Sequence, residues 1–291
     1  MSLRKKTGSA PCIYCGKLVA VGDDRCWNCG GKRPALLGFS PLLRRLGPDM
    51  GFSPFVIVVC GLLYLFSLLL SALAGFEQAP GGSFLRILSP NTQVLFVFGA
   101  TGSIPVFEYG RWWTVLSSAW LHGGLLHIVF NMLWIRMLAP AVGQLFGPGR
   151  LIIIYTTAAI AGGAATTLAS GYFPELPGPL RGASLSIGAS GAVFGLLGAI
   201  VRYGKRGGAA AAGQQAWTLA AVLFVFGFLM PGVDNWGHLG GFLGGYGAAW
   251  VLDPRRRERA AHVVAGLFCL VLSAASVLAS IIDTVALALV G

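Results

Sequence analysis

The stretch LSIGASGAVFGLLGAI, residues 185–200, places one conspicuous serine inside a long apolar run. Ser190 is held between Gly188 and Gly191, and further glycines follow every three or four positions. This spacing puts small side chains on one face of a helix, where a second helix can approach closely. The stretch therefore predicts a tightly packed helix, and by itself it leaves open whether the serine serves packing or chemistry.

The composition is that of an integral membrane protein. Hydrophobic residues make up 55% of the 291-residue chain, charged residues make up 11%, and the mean hydropathy is +0.74. That charged fraction is less than half of the usual share in a soluble domain. The net charge of +11 does not indicate nucleic-acid binding, because the basic residues cluster at the ends of apolar segments. Membrane topology and anionic lipid headgroups account for them there.

The apolar segments predict seven membrane-spanning helices. We expect them near residues 55–75, 119–142, 150–170, 186–203, 215–232, 236–252 and 262–283. Between the first two lies a long connection, residues 76–118, whose pieces FLRIL and VLFVF suggest a loop at the membrane interface. Three tryptophans fit an interfacial aromatic belt, namely Trp112, Trp113 and Trp120.

The chain divides into four predicted parts. These are a cysteine-rich module (1–35), a linker (36–53), a core of six transmembrane helices (54–253), and a basic loop with a seventh helix (254–291). A polar, cysteine-rich stretch follows the first basic residues, so we expect no signal peptide.

The lysines and arginines orient these helices. With a cytoplasmic N-terminus, all but three of the 21 Lys and Arg residues fall on the cytoplasmic side. The same topology places His122, Ser190 and His238 at one membrane depth, near the outer starts of the second, fourth and sixth spans.

Four cysteines have the spacing of a metal site. Cys12 and Cys15 form one Cys-x2-Cys pair, Cys26 and Cys29 form another, and a glycine follows each pair. Four thiolates suit tetrahedral Zn²⁺. Two disulfides are an alternative, but the predicted topology puts the module in the reducing cytosol; iron is a further alternative with the same ligands. The module has too little core to fold without a metal. Binding of a cytosolic partner, regulation and a purely structural role all remain open for it.

Polar residues inside the apolar spans are candidates for function, because they are costly in a bilayer. His127 and Asn131 are four residues apart and share one helical face, while His122 precedes them at the helix entrance. Histidines can simply join helices by hydrogen bonds. A zinc site is disfavoured because no buried carboxylate or HExxH motif accompanies them.

A more specific hypothesis joins Ser190 to His238. A serine hydroxyl becomes a good nucleophile when a neutral histidine takes its proton, which is the requirement for acyl transfer. The Asn131 amide, a His127 N–H and the Ser190 backbone N–H are candidate donors to an oxyanion. GxxxG pairs after His238 match the glycines after Ser190, so that the two helices can approach within hydrogen-bond reach. No third, acidic member is apparent.

These motifs resemble the rhomboid family of intramembrane serine proteases over residues 54–253. The resemblance rests on His122-x4-His127-x3-Asn131, on Gly188-Ala189-Ser190-Gly191, and on His238 with its glycine pairs. It implies an all-α polytopic membrane protein with a rhomboid-like six-helix bundle. To this the chain adds a seventh transmembrane helix and an N-terminal zinc ribbon, which is not part of the family core.

The resemblance implies a Ser–His dyad that cleaves transmembrane protein substrates within the lipid bilayer without a cofactor. Ser190 would be the nucleophile and His238 the general base and acid. Further positions match supporting residues of the family: His127, Asn131, His122, and Phe194, which would pack on the His238 ring. We expect a bacterial inner (plasma) membrane protein whose site faces outward.

One feature departs from the family pattern. Many members carry Trp-Arg in the first loop, whereas this chain has Arg111-Trp112-Trp113, which leaves the anchoring contacts of that loop undefined. Two other functions remain open: a catalytically inactive relative that binds transmembrane helices, and a transporter or channel that uses the histidines as a relay.

Overall fold

The computed structural model describes residues 4–75, 87–177, 180–206 and 209–290. Two compact units make up the chain, Met1–Gly51 and Phe52–Gly291. The first contains a small sheet and short helical turns, and the second is helical.

The first unit is built on a two-stranded antiparallel sheet. Strand β1 (Ser9–Pro11) pairs with β2 (Leu18–Ala20), and Ala10 lies opposite Val19. Both of these residues are buried beside two of the cysteines. The buried core is therefore very small, as expected for a unit that depends on a metal.

Residues of the predicted linker fold back onto this sheet. They form a 3-10 turn at Leu36–Gly38 and helix α1 at Ser40–Arg44. The Gly38 carbonyl accepts a hydrogen bond from the Lys5 amide (3.0 Å), and Arg44 donates to the Cys12 carbonyl (3.2 Å). The chain up to Gly51 thus belongs to the same compact unit as the cysteines.

In its described residues, the second unit contains seven long helices, with short helical segments between the first two. The long ones are α2 (Phe52–Leu73), α5 (Leu125–Phe146), α6 (Pro148–Tyr172), α7 (Ser190–Lys205), α8 (Ala210–Leu229), α9 (Asn235–Val251) and α10 (Ala260–Val290). The short ones are α3 (Thr92–Phe98), a π-helical turn (Ile104–Glu108), α4 (Thr114–Ser117) and a 3-10 turn (Ser118–Trp120). The predicted fold class, an all-α polytopic membrane protein, is confirmed.

Among the described residues, five helices are long and apolar enough to cross a membrane: α2, α5, α6, α8 and α10. The other two, α7 and α9, have 16 and 17 residues. They lie at the centre of the bundle, where α9 packs along both α6 and α7. Residues 192–201 of α7 are buried without interruption, as expected for a helix that other helices surround.

Glycine allows α7 and α9 to touch through their backbones. A Cβ added at Gly241 would overlap the Gly191 carbonyl oxygen, and one added at Gly245 would overlap the Gly195 carbonyl oxygen. The predicted register of the glycine pairs is therefore confirmed. Without side chains between them, the two backbones gain close van der Waals contact, which is the main attraction available between helices in lipid.

Two predicted spans begin later than the apolar pattern suggested. Helix α5 starts at Leu125 rather than near residue 119, because the chain first passes through two glycines that disfavour helix. Helix α7 starts at Ser190 rather than near residue 186, because Ser186 instead pairs with Thr101 in an antiparallel bridge. Gly188, with φ at +124°, then separates this bridge from the helix.

The segment between α2 and α5 is partly described. We refer to residues 87–124 as the connecting segment; residues 76–86, which include most of the FLRIL piece, lie outside the described residues. The VLFVF piece forms part of α3. Trp112 is exposed, whereas Trp120 is 4% exposed and contacts the Tyr155 ring. Trp120 is therefore a core residue and not part of an interfacial belt.

The backbone contact between α7 and α9 predicts that Gly245→Ala destabilises the protein, because the new methyl group meets the Gly195 carbonyl. The expected loss is about 1–3 kcal/mol of unfolding free energy, typical of overpacking. Thermal unfolding of the purified protein in detergent measures it. Gly247→Ala is the matched control on the same helix, since a Cβ added there would meet no neighbouring heavy atom of the described residues within 4 Å. Equal melting temperatures for the two variants would contradict this account of the packing.

Candidate functional site

The predicted site residues gather where three helices begin. Ser190 is the first residue of α7, and His238 and His127 lie in the first turns of α9 and α5. The helices pack together, α5 on α7 and α7 on α9. Their N-terminal ends carry partial positive charge and free N–H groups, which favour an anionic group nearby.

Backbone hydrogen bonds hold the residues that precede Ser190. The Ser186 carbonyl accepts a hydrogen bond from the Thr101 amide at 2.9 Å, and the Gly188 amide donates to the Ser118 carbonyl at 2.9 Å. Both partners belong to the connecting segment. The position of Ser190 therefore depends on that segment as well as on its own helix.

Gly188 meets two requirements at once. Its φ of +124° is a conformation that other residues rarely adopt, and a Cβ there would lie 2.6 Å from His127 Nε2. The same added Cβ would lie 3.8 Å from Ser190 Oγ. The absence of a side chain at Gly188 thus leaves the His127 ring beside the residues that lead into Ser190.

His127 is oriented by its own helix entrance. Its Nδ1 accepts a hydrogen bond from the Gly123 amide at 3.3 Å. In a neutral imidazole, an accepting Nδ1 leaves the proton on Nε2. Because Nε2 is the atom nearest Gly188, this tautomer directs an N–H donor toward the start of α7.

Asn131 and His122 lie close to His127. Asn131 is buried, and its Nδ2 donates to the His127 carbonyl at 2.9 Å. The His122 ring meets the His127 ring edge-on, with centroids 5.2 Å apart. Among the described residues, neither ring nitrogen of His122 has a hydrogen-bond partner. His122 therefore supports the His127 ring by contact.

His238 is held by stacking. The ring of Phe194 lies nearly parallel to it, with centroids 4.2 Å apart and an angle of 15° between the planes. Phe194 is one turn after Ser190 on α7, so this stack joins the two helices that carry Ser190 and His238. Within the described parts of the chain, His238 Nδ1 has no hydrogen-bond partner, so packing fixes the orientation of the ring.

Ser190 and His238 lie on neighbouring helix ends. Gly191 packs against Gly241, which follows His238 by three residues. The structure records no hydrogen bond between the Ser190 hydroxyl and the His238 ring among the described residues. Catalytic hydrogen bonds are often long before substrate binds, so this geometry does not disqualify the pair.

An acidic residue that the motif reasoning missed caps the helix of His238. Asp234 Oδ1 accepts from the Gly237 amide at 2.8 Å, and Oδ2 accepts from the Ser186 hydroxyl at 2.6 Å. Asp234 thereby ties the start of α9 to the chain that leads into Ser190. An aspartate directly before an apolar helix is an N-cap signal that sequence alone can provide.

The four cysteines form a compact cluster in the first unit. Their sulfur atoms all lie within 4.8 Å of one another, and two pairs are 3.6 Å (Cys12–Cys29) and 3.7 Å (Cys15–Cys26) apart. Tetrahedral zinc with Zn–S bonds of about 2.3 Å requires about 3.8 Å between sulfurs. The residues present therefore fit a metal ion bound by four thiolates.

The glycines after each cysteine pair shape the turns of the cluster. Gly16 and Gly30 have φ of +78° and +66°, as the tight turns require. Burial raises the pKa of the Cys15 thiol, but the Lys17 amide, the Asn28 side chain and neighbouring thiols lower it to about 6 overall. Burial raises the pKa of Cys29 to about 12, so a metal must displace its proton.

The helical bundle and its buried polar site define an integral membrane protein of the polytopic helical class. A family model described as Rhomboid domain matches residues 109–255, which is half of the chain. The chain belongs to the rhomboid family.

The chain is similar to named members of this family in bacteria and plants. It is 35% identical to Rhomboid protease GluP of Bacillus subtilis (strain 168) over 167 residues. The aligned region covers 56% of this chain and 30% of that protein. It is 32% identical over 171 residues to RHOMBOID-like protein 5 of Arabidopsis thaliana, covering 57% and 52%. RHOMBOID-like protein 2 of the same plant is 33% identical over 174 residues, covering 58% and 51%. The matches thus span about half or less of these relatives.

The capping role of Asp234 predicts that Asp234→Ala destabilises the protein by about 1–2 kcal/mol, the range for loss of an N-cap. Asp234→Asn retains an oxygen for the Gly237 amide and should lose less. Chemical or thermal unfolding in detergent measures both variants. Wild-type stability of Asp234→Ala would show that the cap does not hold the start of α9.

Proposed function

We propose that this protein is an intramembrane serine endopeptidase that hydrolyses peptide bonds of transmembrane substrates. The observation that carries the proposal is the arrangement of Ser190 and His238 at adjoining helix starts, joined by the Phe194 stack. Family membership adds to it, since GluP carries the name of a protease.

In the proposed mechanism, the Ser190 oxygen attacks the scissile carbonyl carbon while His238 accepts the hydroxyl proton. The resulting imidazolium then gives this proton to the leaving amine, and an acyl-enzyme remains. His238 next accepts a proton from water as the water attacks the ester. Collapse of the second intermediate returns that proton to Ser190 and releases the acid product.

The developing oxyanion would be stabilised by donors at the helix starts. His127 Nε2–H is directed there by the Gly123 hydrogen bond at Nδ1. The Ser190 backbone N–H lies at the first turn of α7, where intrahelical acceptors are missing. Asn131 would have to turn its amide from the His127 carbonyl toward the oxyanion. Each such donor lowers the barrier only if it points to the charge that forms in the transition state.

The lengths of the two central helices support access of water. At 1.5 Å per residue, the 16 residues of α7 and the 17 of α9 extend about 24–26 Å, less than a hydrocarbon layer of about 30 Å. Their starting ends can therefore lie below the membrane surface while the longer helices span it. Hydrolysis would proceed in a polar recess surrounded by protein.

We further propose the orientation and substrate path. The distribution of lysine and arginine supports a cytoplasmic N-terminus in a plasma membrane, with the site toward the outer face. Substrate helices would enter sideways from the bilayer and unwind locally to expose the scissile bond. Nothing in the described residues supports a cytosolic partner of the cysteine unit, and we propose none.

The central test is cleavage of a transmembrane reporter peptide by purified protein. Ser190→Ala should lower the rate by at least about 10⁴-fold, because it removes the nucleophile. Ser276→Ala is the matched control, since among the described residues the hydroxyl of that buried serine bonds only the Ser273 carbonyl of its own helix. A fluorophosphonate should label the wild type and the control but not Ser190→Ala. Equal cleavage by all three proteins would refute the mechanism.

The same assay separates the other functions. An inactive relative would bind the reporter without cleaving it and would remain unlabelled. A relay serine in a transporter would also remain unlabelled, and substitution of His127 or His238 would then alter transport instead.

We also propose that the cysteine cluster holds one structural zinc ion per chain. Metal analysis after gentle purification should find close to one zinc, and Cys26→Ser should lose it. Cys269→Ser, a cysteine in α10 of the second unit, should keep it. Zinc should dissociate as the pH falls, because protons compete for the thiolates. Absence of zinc from the wild type, or iron in its place, would contradict this assignment.

A further inference from the structure

Arg111 is a fully buried charge in the connecting segment. Its side chain is 0% exposed, and its Nε donates to Asp283 Oδ2 at 2.7 Å. Nη2 donates to Thr284 Oγ1 at 2.8 Å, and Nη1 donates to the Phe96 carbonyl at 3.3 Å. The guanidinium also lies over the Phe96 ring, 4.3 Å from its centroid. Two of these partners belong to the seventh long helix, α10.

Two further contacts join α10 to the connecting segment at the same level. Trp113 Nε1 donates to Ser280 Oγ at 3.0 Å, one turn before Asp283. Gly99 lies against the same hydroxyl, and a Cβ there would come within 2.5 Å of it. Polar residues on one face of α10 therefore contact the connecting segment both at Gly99 and at Arg111 and Trp113.

The connecting segment in turn holds the residues that lead into Ser190. Thr101 pairs with Ser186, and the Ser118 carbonyl accepts from the Gly188 amide. Thr114 links these regions, because its hydroxyl donates to the Arg111 carbonyl at 2.6 Å and lies 3.2 Å from the Thr101 hydroxyl. A continuous set of contacts thus runs from Asp283 to within two residues of Ser190.

From this set of contacts we infer that Arg111 and Asp283 are positioning residues for the serine. The ion pair fixes the connecting segment on α10, and the segment then fixes Gly188 and the start of α7. The inference rests on the proposed protease function for its effect on rate. Its effect on the backbone around Gly188 can be measured independently.

The physical reason for the effect is the penalty of an unpaired buried charge. Arg111 is fully buried, whereas the side chain of Asp283 is 37% exposed and reaches water. Removing Asp283 leaves the buried guanidinium without its counter-charge, whereas replacing both charges by apolar residues is often tolerated. Asp283→Leu should therefore push the Arg111 guanidinium toward water and shift the connecting segment. The double substitution should shift it far less.

The test compares Asp283→Leu, Arg111→Met and the double variant in the full-length protein. Asp283→Leu should lower kcat, per fluorophosphonate-labelled site, by about 10- to 100-fold, as displacement of a catalytic group by about 1 Å does. Arg111→Met should lower it less, because the Asp283 carboxylate that it leaves unpaired is partly exposed to water. The double variant should regain most of the kcat that Asp283→Leu loses. A double-mutant cycle of the wild type, the two single variants and the double variant measures this coupling. Thr284→Val removes one acceptor without unpairing the charge and should give a smaller loss.

The matched control is Asp253→Asn. It breaks the other ion pair recorded among the described residues, Arg206 to Asp253 at 3.1 Å, which lies at the opposite ends of α7 and α9. This variant should keep wild-type kcat.

Hydrogen exchange provides the readout that does not depend on activity. The Gly188 amide and the amides of the Thr101–Ser186 bridge should exchange faster in Asp283→Leu and Thr284→Val than in wild type or Asp253→Asn. A lower melting temperature with unchanged kcat and unchanged exchange at residues 184–190 would overturn the inference. So would additive single effects.

Failure of the proposed function is distinguishable from failure of this inference. If wild-type protein neither cleaves the reporter nor reacts with fluorophosphonate, the protease proposal fails. Exchange at Gly188 then still decides whether the ion pair positions the segment before α7.

Discussion

The structure depends on direct backbone contact between α7 and α9. Gly191 and Gly195 on α7 meet Gly241 and Gly245 on α9, and at these positions the two backbones touch without a side chain between them. In lipid there is no hydrophobic gain from burying one apolar surface against another, so close packing must supply the attraction. The same closeness places the first residues of both helices side by side. Packing and chemistry therefore use the same glycines.

A third helix completes this centre. Gly162 of α6 lies against the Gly237 carbonyl and near the Gly191 Cα, while Gly240 of α9 lies against the Ala161 carbonyl. Large apolar side chains such as Leu65 and Val225 are instead exposed on α2 and α8, where lipid can cover them. Large apolar side chains thus lie on the outside of the bundle as well as in its core, whereas a soluble domain exposes few of them together. The two shortest of the long helices, α7 and α9, are thereby enclosed by longer ones.

Much of the architecture could be predicted from the sequence, because it depends on local pattern. The lengths of the apolar segments predicted the seven long helices, and the glycine spacing predicted the register of α7 and α9. The two Cys-x2-Cys pairs predicted the sulfur cluster. Helix starts were less accurate, since the glycines before Leu125 and the Ser186 bridge to Thr101 shorten helices that apolarity alone would extend. The roles of Ser190, His238 and their supporting residues remain predictions that enzymatic tests must decide.

Contacts between distant parts of the chain could not be predicted in this way. Asp234 caps α9 locally, which an N-cap pattern can indicate, but its hydrogen bond to Ser186 joins residues 48 positions apart. Tryptophan is typical of the membrane interface, yet Trp120 packs against Tyr155 in the core. Nothing in the local sequence of either residue specifies these partners.

Arg111 shows how a departure from the family pattern is accommodated. A buried guanidinium in this segment requires a counter-charge, and Asp283 supplies it from a helix 172 residues further along the chain. The helix that bears Asp283 is the additional one beyond the six-helix bundle. Arg111 and the seventh helix are therefore complementary, because α10 supplies the carboxylate that pairs with the fully buried guanidinium, while the Asp283 side chain itself remains 37% exposed. The departure in the first loop and the extra helix are two parts of one structural arrangement.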